Sequence, residues 1–407
     1  MRLPLLCVLL AGCSGEGTGT VVYSEGGTGH IMTVDVATGA KTALDLGFFA
    51  NVAISPDRQH VAYMGENNIP KVSDLSGTVT ELPSTNGCSL PLTWRANSTL
   101  TYCIVDNFMG FSSVGFLPGA GAPVRTLMAN SIAVSSDGAR IAYLLLANPN
   151  TSALGDLVIE DANGANRKRL AAAVQVDRIA FTPDDGALVI SSVDMAHNFI
   201  EHVSTVSLDG TITDLGEAML VEPLPNGARF SPDGHEILAV AGNRLVALDL
   251  ASGSQRPFAM AGGNVTIIGA AFLAADRIVY SRQDSTFMGD VGGVTSTVRF
   301  SDGADKVTLA SSDGSSQCQV TDVSAAAGQV ELVCAVPAIV DLDGKLITSR
   351  NAAFAFGISG DHAGMITVDM FGTIEYVSDT GSVRALATAN TSSLTPSLPG
   401  PYAAYAP

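Results

Sequence analysis

The stretch "ARFSPDGHEILAV", residues 228–240, contains the pattern that determines the fold. Apolar residues alternate with other residues on both sides of a central Ser-Pro-Asp-Gly. Proline presets φ at the first corner of a turn, aspartate can bond nearby backbone amides, and glycine accepts a positive φ. The stretch therefore predicts two antiparallel strands, A and B, that are joined by a tight turn.

The same pattern recurs in order along the chain. Strong copies are "VAISPDRQHVAYM" from Val52 and "IAFTPDDGALVIS" from Ile179. Weaker copies begin at Leu92, Ile132, Ala270, Val323 and Ile358. A second turn that contains a glycine follows each of these eight copies, and one more precedes the first copy; the glycines are at positions 39, 77, 121, 164, 210, 253, 303, 344 and 381. These turns predict two further strands, C and D, so that each unit has four strands.

The spacing of the units indicates the fold class. A period of about 43 residues with four strands per unit is typical of the blades of a β-propeller. We therefore predict an all-β fold, a single β-propeller of four-stranded antiparallel blades. The repeat count predicts nine blades, and the short, weak units at residues 318–351 and 352–387 leave eight as an alternative.

The two ends of the chain each contain part of one unit. The C-terminal "AAYAP", residues 403–407, aligns with the A strands of the strong copies, whereas "TVVYSE" from Thr20 fits strand B with no strand A before it. We therefore predict that the C-terminal strand completes the N-terminal blade and closes the ring, with Ala404 beside Val22. Such closure removes the two exposed sheet edges that an open array would leave.

The repeat also resembles a known family. The Ser-Pro-Asp-Gly hairpin followed by a turn such as "DLDG" at Asp341 resembles the TolB-type, WD40-like propeller repeat, over residues 20–407. The resemblance implies the propeller fold. It says little about activity, because propellers carry many unrelated functions.

The N-terminus resembles a bacterial lipobox. Arg2 supplies a positive charge, an apolar run follows to Leu10, and "LAGC" ends at Cys13. In that family the peptide before the cysteine is removed and the thiol, here that of Cys13, receives a lipid. We therefore predict a signal peptide at residues 1–12, the lipidated Cys13 with a short linker at residues 13–19, and the propeller at residues 20–407. By resemblance to enterobacterial lipoprotein sorting, Ser14 in place of an aspartate after the cysteine implies the outer membrane over the inner one. An ordinary secretory signal is the alternative.

Charge and hydropathy limit the classes of partner. The chain has 21 Lys and Arg against 39 Asp and Glu, a net charge of -18, which repels polyanions and disfavours nucleic acid. The basic run at residues 167–169 is expected to be a solvated edge strand that blocks aggregation. Apolar stretches are shorter than the roughly 18 residues that a membrane-spanning helix needs.

Four cysteines follow Cys13. Cys88 and Cys103 flank one A–B turn, and Cys318 and Cys334 flank another, at nearly opposed positions. Because an exported protein lies in an oxidising compartment, we predict the disulfides Cys88–Cys103 and Cys318–Cys334. Four unpaired core cysteines are the alternative. Neither pair has the spacing of zinc ligands, so we predict no metal site.

The candidate binding residues lie in B–C loops, which the sequence predicts to be long and irregular. Loops on a rigid scaffold commonly carry binding, and two of these contain Phe-Met-Gly. The candidates are Asp106, Phe108, Met109, Phe111, His197, His202, Phe287 and Met288. Packing of these side chains between blades is the alternative. Asp194, His197, Glu201 and His202 share one predicted loop, but their spacing fits no metal motif.

These observations lead to an expected function. We expect a lipid-anchored, monomeric envelope propeller that binds another envelope protein, a peptide or a glycan, without a cofactor. A propeller lyase or hydrolase with its site in the central channel is one alternative, and a structural surface lipoprotein without a ligand is another. The six scattered histidines argue against the enzyme, and the sequence nominates no catalytic residue.

Overall fold

The computed structural model describes part of the chain. These residues are 19–25, 30–46, 53–55, 59–65, 69–74, 78–83, 93–94, 100–106, 112–117, 125–146, 154–194, 200–222, 224, 228–260, 265–288, 291–302, 305–310, 319–324, 328–333, 337–350, 354–358, 364–369, 371, 373–388 and 403–406. The regular elements in these ranges are all β-strands. None of the described residues forms a helix with the length and hydropathy that crossing a membrane requires.

The strands follow one another at short intervals. The first twelve are β1 (Thr20–Ser24), β2 (His30–Asp35), β3 (Lys41–Leu46), β4 (Ala53–Ile54), β5 (His60–Met64), β6 (Pro70–Asp74), β7 (Val79–Glu81), β8 (Thr93–Trp94), β9 (Leu100–Asp106), β10 (Ser112–Leu117), β11 (Arg125–Val134) and β12 (Arg140–Leu146). The next twelve are β13 (Gly155–Asp161), β14 (Lys168–Val174), β15 (Val176–Phe181), β16 (Ala187–Asp194), β17 (Ile200–Ser207), β18 (Ile212–Glu217), β19 (Met219–Leu220), β20 (Glu236–Ala241), β21 (Arg244–Asp249), β22 (Gln255–Met260), β23 (Val265–Ala274) and β24 (Arg277–Met288). The last eleven are β25 (Val291–Ser301), β26 (Asp305–Ala310), β27 (Gln319–Ser324), β28 (Gln329–Val333), β29 (Pro337–Asp341), β30 (Leu346–Ser349), β31 (Phe354–Ile358), β32 (Gly364–Val368), β33 (Thr373–Ser378), β34 (Val383–Thr388) and β35 (Ala403–Ala406).

The described strands form eight antiparallel sheets, which we number in chain order. Seven of them have four strands: sheet 1 (β35-β1-β2-β3), sheet 2 (β4 to β7), sheet 4 (β15 to β18), sheet 5 (β19 to β22), sheet 6 (β23 to β26), sheet 7 (β27 to β30) and sheet 8 (β31 to β34). Sheet 3 has seven strands, β8 to β14, because the long strand β11 pairs with β10 through one half and with β12 through the other.

The A–B turns have the predicted hydrogen bonds. In sheet 5 the Ser231 hydroxyl donates to Asp233 Oδ1 at 2.6 Å and accepts from the Glu236 amide at 2.9 Å. Asp233 Oδ1 also accepts from the His235 amide at 3.1 Å. Ser135 with Asp137, and Thr182 with Asp184, make the same set of bonds. Each Ser/Thr-x-Asp group therefore satisfies the backbone where the first strand reverses.

The C–D turns need glycine for its backbone conformation. Positive φ occurs at Gly39, Gly164, Gly210, Gly253, Gly344 and Gly381. Six of the nine glycines that define the repeat are thus in the left-handed region, where a side chain is disfavoured. The other three, at positions 77, 121 and 303, lie outside the described residues. The predicted turn positions are confirmed where they are described.

Burial follows the position of a strand in its sheet. The five residues of β32 are all buried, whereas the outermost strands β14 and β18 are largely exposed. The inner strands are apolar on both faces because neighbouring sheets pack against each other, as Leu238 and Phe258 of sheet 5 do against Phe272 of sheet 6. The basic residues Lys168 and Arg169 lie in β14, at the edge of sheet 3, as expected.

The first and last described strands share sheet 1. β35 pairs with β1 in antiparallel register, with Ala404 opposite Val22 and Ala406 opposite Thr20. The same strand contacts β31 of sheet 8 and β4 of sheet 2. Val21 and Tyr376 belong to one buried cluster, which joins sheet 1 to sheet 8. The predicted pairing of the two ends is therefore present.

The ends of the sheets that carry the A–B and C–D turns form what we call the turn face. Contacts join these ends from each sheet to the next. Ser136 of sheet 3 contacts Asp185 of sheet 4, Pro183 of sheet 4 lies against Gly234 of sheet 5, and Arg256 of sheet 5 contacts Ala275 of sheet 6. Arg277 of sheet 6 contacts Asp343 of sheet 7, Thr348 of sheet 7 contacts Ser378 of sheet 8, and Arg384 of sheet 8 contacts Ala37 of sheet 1. The turn-bearing ends of sheets 3 to 8 and of sheet 1 therefore lie on the same side of the molecule.

Candidate functional site

A cleft of about 620 Å³ lies at the turn face, between β11 of sheet 3, β15 of sheet 4 and the segment 228–232 that precedes β20 of sheet 5. Its walls are residues 132–134 of β11, residues 179–183 in and after β15, and residues 228–232, with Ser136 and Asp185 at its mouth. We call it the inner cleft. Its volume falls within the range of roughly 300–1,000 Å³ in which proteins bind ligands.

The course of the chain before Ala228 shapes one wall of the inner cleft. After β19 the chain leaves its own sheet and bonds to β23 of sheet 6. The Ala270 amide donates to the Glu222 carbonyl at 3.1 Å, and the Phe272 amide donates to the Ala228 carbonyl at 2.8 Å. Gly269 permits this approach, because a Cβ there would lie 3.3 Å from the Glu222 carbonyl oxygen. The first strand of sheet 5 is therefore interrupted beside the cleft.

Asp185 joins two A–B turns at the mouth of the cleft. Its backbone is left-handed, with φ of 55°, in the position that Gly138 and Gly234 occupy in the neighbouring turns. Its carboxylate accepts from the Ser136 amide at 2.9 and 3.0 Å and from the Ser136 hydroxyl at 2.6 Å. A side chain in the left-handed region costs about 1–2 kcal/mol. These bonds offset that cost and hold the turns of sheets 3 and 4 together.

Each of the three A–B turns that line the inner cleft also carries one exposed aspartate. We call Asp137, Asp184 and Asp233 the rim aspartates. The pKa of each is lowered, first by the Ser or Thr hydroxyl that donates to it and then by a backbone amide of its turn. They are therefore ionised at neutral pH and give the three turns around the inner cleft negative charge.

Arg229 lines the cleft, and Arg178 and Arg140 adjoin its lining residues in sequence or in space. Arg178 Nε lies 3.0 Å from a carboxylate oxygen of Glu222, and Arg229 lies 3.8 Å from the other oxygen. Arg178 also donates to the Leu220 carbonyl. Arg140 donates to the Asp185 carbonyl at 2.9 Å, with its guanidinium 5.8 Å from the centre of the Phe181 ring. All three guanidinium groups are therefore held by groups of the protein itself.

The arrangement of side chains in the inner cleft is suited to binding a ligand. The polar side chains of the cleft are engaged in bonds that hold the turns, and the walls are mostly apolar. Among the described ranges, no group of three or more His, Cys, Asp and Glu side chains is placed to hold a metal ion.

The structure corrects the predicted loop that contains His202. Glu201 and His202 lie in β17, opposite Val193 and Ser192 of β16. Successive side chains of a strand point to opposite faces, so these two do not converge on one ion. The Ser191 hydroxyl donates to Glu201 at 2.9 Å, and His202 Nδ1 lies 3.3 Å from the Asp214 carboxylate. His197 lies outside the described residues.

The expected irregular loop around Phe287 is also wrong. β24 and β25 stay paired to their ends, with Phe287 opposite Gly292 and Met288 opposite Val291. Pairing with the inner neighbour β23 ends at Asp284. The segment is therefore the tip of a two-stranded ribbon. Of the other candidates, Asp106 ends β9 opposite Ser112, and Phe108, Met109 and Phe111 lie outside the described residues.

The cysteine predictions are mostly outside the described residues, as Cys13, Cys88, Cys318 and Cys334 are. Cys103 lies in β9, opposite Val114. Gln319 and Val333, which adjoin Cys318 and Cys334 in sequence, are opposed partners in β27 and β28. The two disulfides and the lipidation remain predictions.

The inner cleft was not found from the sequence. The first strands and turns that form it were predicted, but only as parts of the repeat. One signal was present in "TPDDG", where Asp185 takes the place of the glycine of the other turns. A non-glycine residue at a left-handed position indicates a local constraint, here the bond to Ser136.

Comparisons with known proteins identify the fold. No protein-family model and no curated protein matches the chain. A crystal structure of the eukaryotic initiation factor is similar over 92% of this chain and 97% of that chain, with 12% identity and a TM-score of 0.59. TolB from Acinetobacter baumannii matches over 72% of this chain and 66% of that chain, with 15% identity and a TM-score of 0.31.

The likeness to the initiation factor concerns the fold alone. Together with the successive antiparallel sheets, most of which have four strands and which contact their neighbours, it places the chain in the class of β-propeller proteins. Propellers carry many functions, so the function has to be argued from the site.

Proposed function

We propose that the protein is a binding module of the cell envelope, whose inner cleft holds an extended, positively charged segment of another protein. The observation that carries the proposal is the cleft itself, with its apolar walls from three sheets and with the rim aspartates in the turns that line it. Lys and Arg combine an aliphatic stem with a charged end. Their stems fit the walls, and their charged ends fit the rim aspartates.

The charge of the whole chain supports the same partner. A net charge of -18 attracts a cationic segment from a distance and repels anionic competitors. Electrostatic complementarity of this kind mainly increases the association rate and the specificity. The partner that fits is therefore an extended protein segment rich in Lys or Arg.

A peptide of known composition tests the proposal. A fluorescein-labelled (Gly-Lys)5 peptide should bind the purified protein, more weakly as salt rises, and (Gly-Glu)5 should not bind. Ala180→Trp fills the cleft from β15 without changing the charge and should weaken binding at least about tenfold. Thr266→Trp, at an exposed position of β23, is the matched control and should bind as the unchanged protein does. Equal binding by the Ala180→Trp and Thr266→Trp variants would show that the peptide binds elsewhere.

We further propose that the sheets are nine blades of one closed ring. Dividing the seven-stranded sheet 3 at β11 yields two blades, which join the seven four-stranded sheets. The pairing of β35 with β1 and the buried cluster between sheets 1 and 8 support closure at the two ends of the chain. Deleting residues 403–407 should lower the unfolding temperature by several degrees. An unchanged unfolding temperature would argue against closure by β35.

We also propose an envelope location, with the signal peptide at residues 1–12 and a lipid on Cys13 that anchors the protein, in the outer membrane by preference. The motif around Cys13 supports this proposal. Stable anchoring takes more than one acyl chain, which a multiply acylated cysteine provides. Cys13→Ala should move the protein from the membrane fraction to the soluble fraction, and retention in the membrane would refute lipid anchoring.

A further inference from the structure

The chain enters the propeller at the turn face. β1 begins at Thr20, opposite Asp35, which starts the C–D turn of sheet 1. The Val36 amide donates to the Gly19 carbonyl at 2.9 Å, so Gly19 is held beside that turn. The segment before Gly19 therefore connects to the propeller at the end of sheet 1 that carries its turns.

The inner cleft opens on the same side. Turn-to-turn contacts run from sheet 3 through sheet 8 to sheet 1, and the last of them is the bond of 2.8 Å from Arg384 to the Ala37 carbonyl. The mouth of the cleft is formed by the A–B turns of sheets 3, 4 and 5. The entry point of the chain and the mouth of the cleft thus belong to one face.

The distance from Cys13 to this face is short. Gly19 follows Cys13 by six positions in the sequence, so their Cα atoms can be at most about 22 Å apart. A lipid on Cys13 would hold the turn face near the bilayer and the B–C ends of the sheets away from it. We infer that the turn face and the inner cleft face the anchoring membrane, an inference that rests on the proposed lipid anchor.

This orientation narrows the class of partner. A segment that enters the inner cleft has to come from the space between the propeller and the bilayer. A protein attached to the same membrane supplies such a segment at high effective concentration, whereas a freely diffusing one does not. The partner is therefore a membrane-attached protein with a basic, extended segment.

Two labelling positions on one strand test the orientation. Ala251 follows β21 at the turn face, and Asn243 precedes β21 at the opposite face, so the roughly 20 Å length of a six-residue strand separates them. Each is replaced in turn by an azide-bearing amino acid and coupled to a donor fluorophore, which leaves the cysteines unmodified. The lipidated full-length protein is then reconstituted into phosphatidylcholine vesicles that carry an acceptor on their headgroups.

Energy transfer should be stronger from position 251 than from position 243. Equal or reversed efficiencies, with the protein still bound to the vesicles, would overturn the inferred orientation. A failure of the lipid anchor has a different signature, because the unchanged protein would then not sediment with the vesicles and would behave like the Cys13→Ala variant.

A second measurement tests the class of partner. (Gly-Lys)5 coupled to phosphatidylethanolamine in the same vesicles should displace the soluble fluorescent peptide at a concentration at least about tenfold lower than free (Gly-Lys)5. If the lipid-coupled peptide needs the same concentration as the free peptide, or a higher one, the inference of a membrane-attached partner is refuted. Binding of free (Gly-Lys)5 in solution tests the inner cleft as the binding site and is independent of this result.

Discussion

Two C–D turns with nearly the same sequence provide a matched stability experiment. "DVATG", residues 35–39, and "DLASG", residues 249–253, have their glycines at φ of +71° and +69°. In both turns the first aspartate accepts a backbone amide at 2.7 Å and the hydroxyl of the same residue, Thr38 or Ser252. The glycine amide donates to the carbonyl of that aspartate in each turn. The two glycines therefore have the same local conformation.

The two turns differ in their neighbours from the preceding sheet. A Cβ on Gly253 would lie 2.8 Å from the Leu215 carbonyl oxygen and 3.3 Å from the Leu215 Cα. A Cβ on Gly39 would meet no atom within 4 Å, as far as the described part of the chain extends. Leu215 cannot move away easily, because it is 7% exposed and belongs to the buried cluster between sheets 4 and 5.

These contacts predict different losses of stability. Alanine at a positive φ costs about 1–2 kcal/mol, and this cost applies to Gly39→Ala and Gly253→Ala alike. The smaller entropy of the unfolded chain with alanine also applies to both. Only Gly253→Ala adds the collision, for which overpacking costs of about 1–3 kcal/mol are expected. The difference between the variants therefore isolates the contact between sheets.

Urea unfolding followed by far-ultraviolet circular dichroism measures this difference. Gly253→Ala should have a midpoint clearly below that of Gly39→Ala, and Gly39→Ala should lie moderately below the unchanged protein. Gly381→Ala, with φ of +84° and no described atom within 4 Å, should behave like Gly39→Ala. Equal midpoints for the Gly39→Ala and Gly253→Ala variants would refute the close approach of the C–D turn to the preceding sheet.

Three further predictions concern charge, sheet contacts and cysteines. Binding of (Gly-Lys)5 should stay unchanged from pH 7 to pH 5, because the lowered pKa values keep the rim aspartates ionised until the pH falls below about 3.8; loss by half above pH 5 would implicate other groups. Arg384→Met removes the bonds to the Val36 and Ala37 carbonyls and should lower the free energy of unfolding by about 1–2 kcal/mol; no change would show that these bonds add nothing. Mass mapping of unreduced peptides should link Cys318 to Cys334, next to the opposed Gln319 and Val333, and free thiols in the exported protein would disprove this disulfide.

The fold was largely predictable because its signals are local. Each A–B turn uses bonds within six residues, such as those from Ser231 to Glu236, and each C–D glycine needs only its own φ. The pairing of β35 with β1 was also predictable, since a unit without strand A and a lone strand A complete each other. Two of the four irregular B–C loops, around His202 and Phe287, were predicted wrongly where the structure describes them. Around Phe287 the Gly and polar residues suggested a loop, whereas β24 and β25 remain paired as strands up to Met288 and Val291.

The sequence by itself determined the repeat, its four strands and the turns between them, because these depend on alternation and on residues that adopt particular backbone angles. Only the tertiary structure determined the inner cleft. Asp185 and Ser136 are 49 residues apart, and Ala228 pairs with Phe272 of another sheet, so no local pattern connects them. Their contacts arise because apolar inner strands bury both faces, which brings successive sheets together and places three turns around one space.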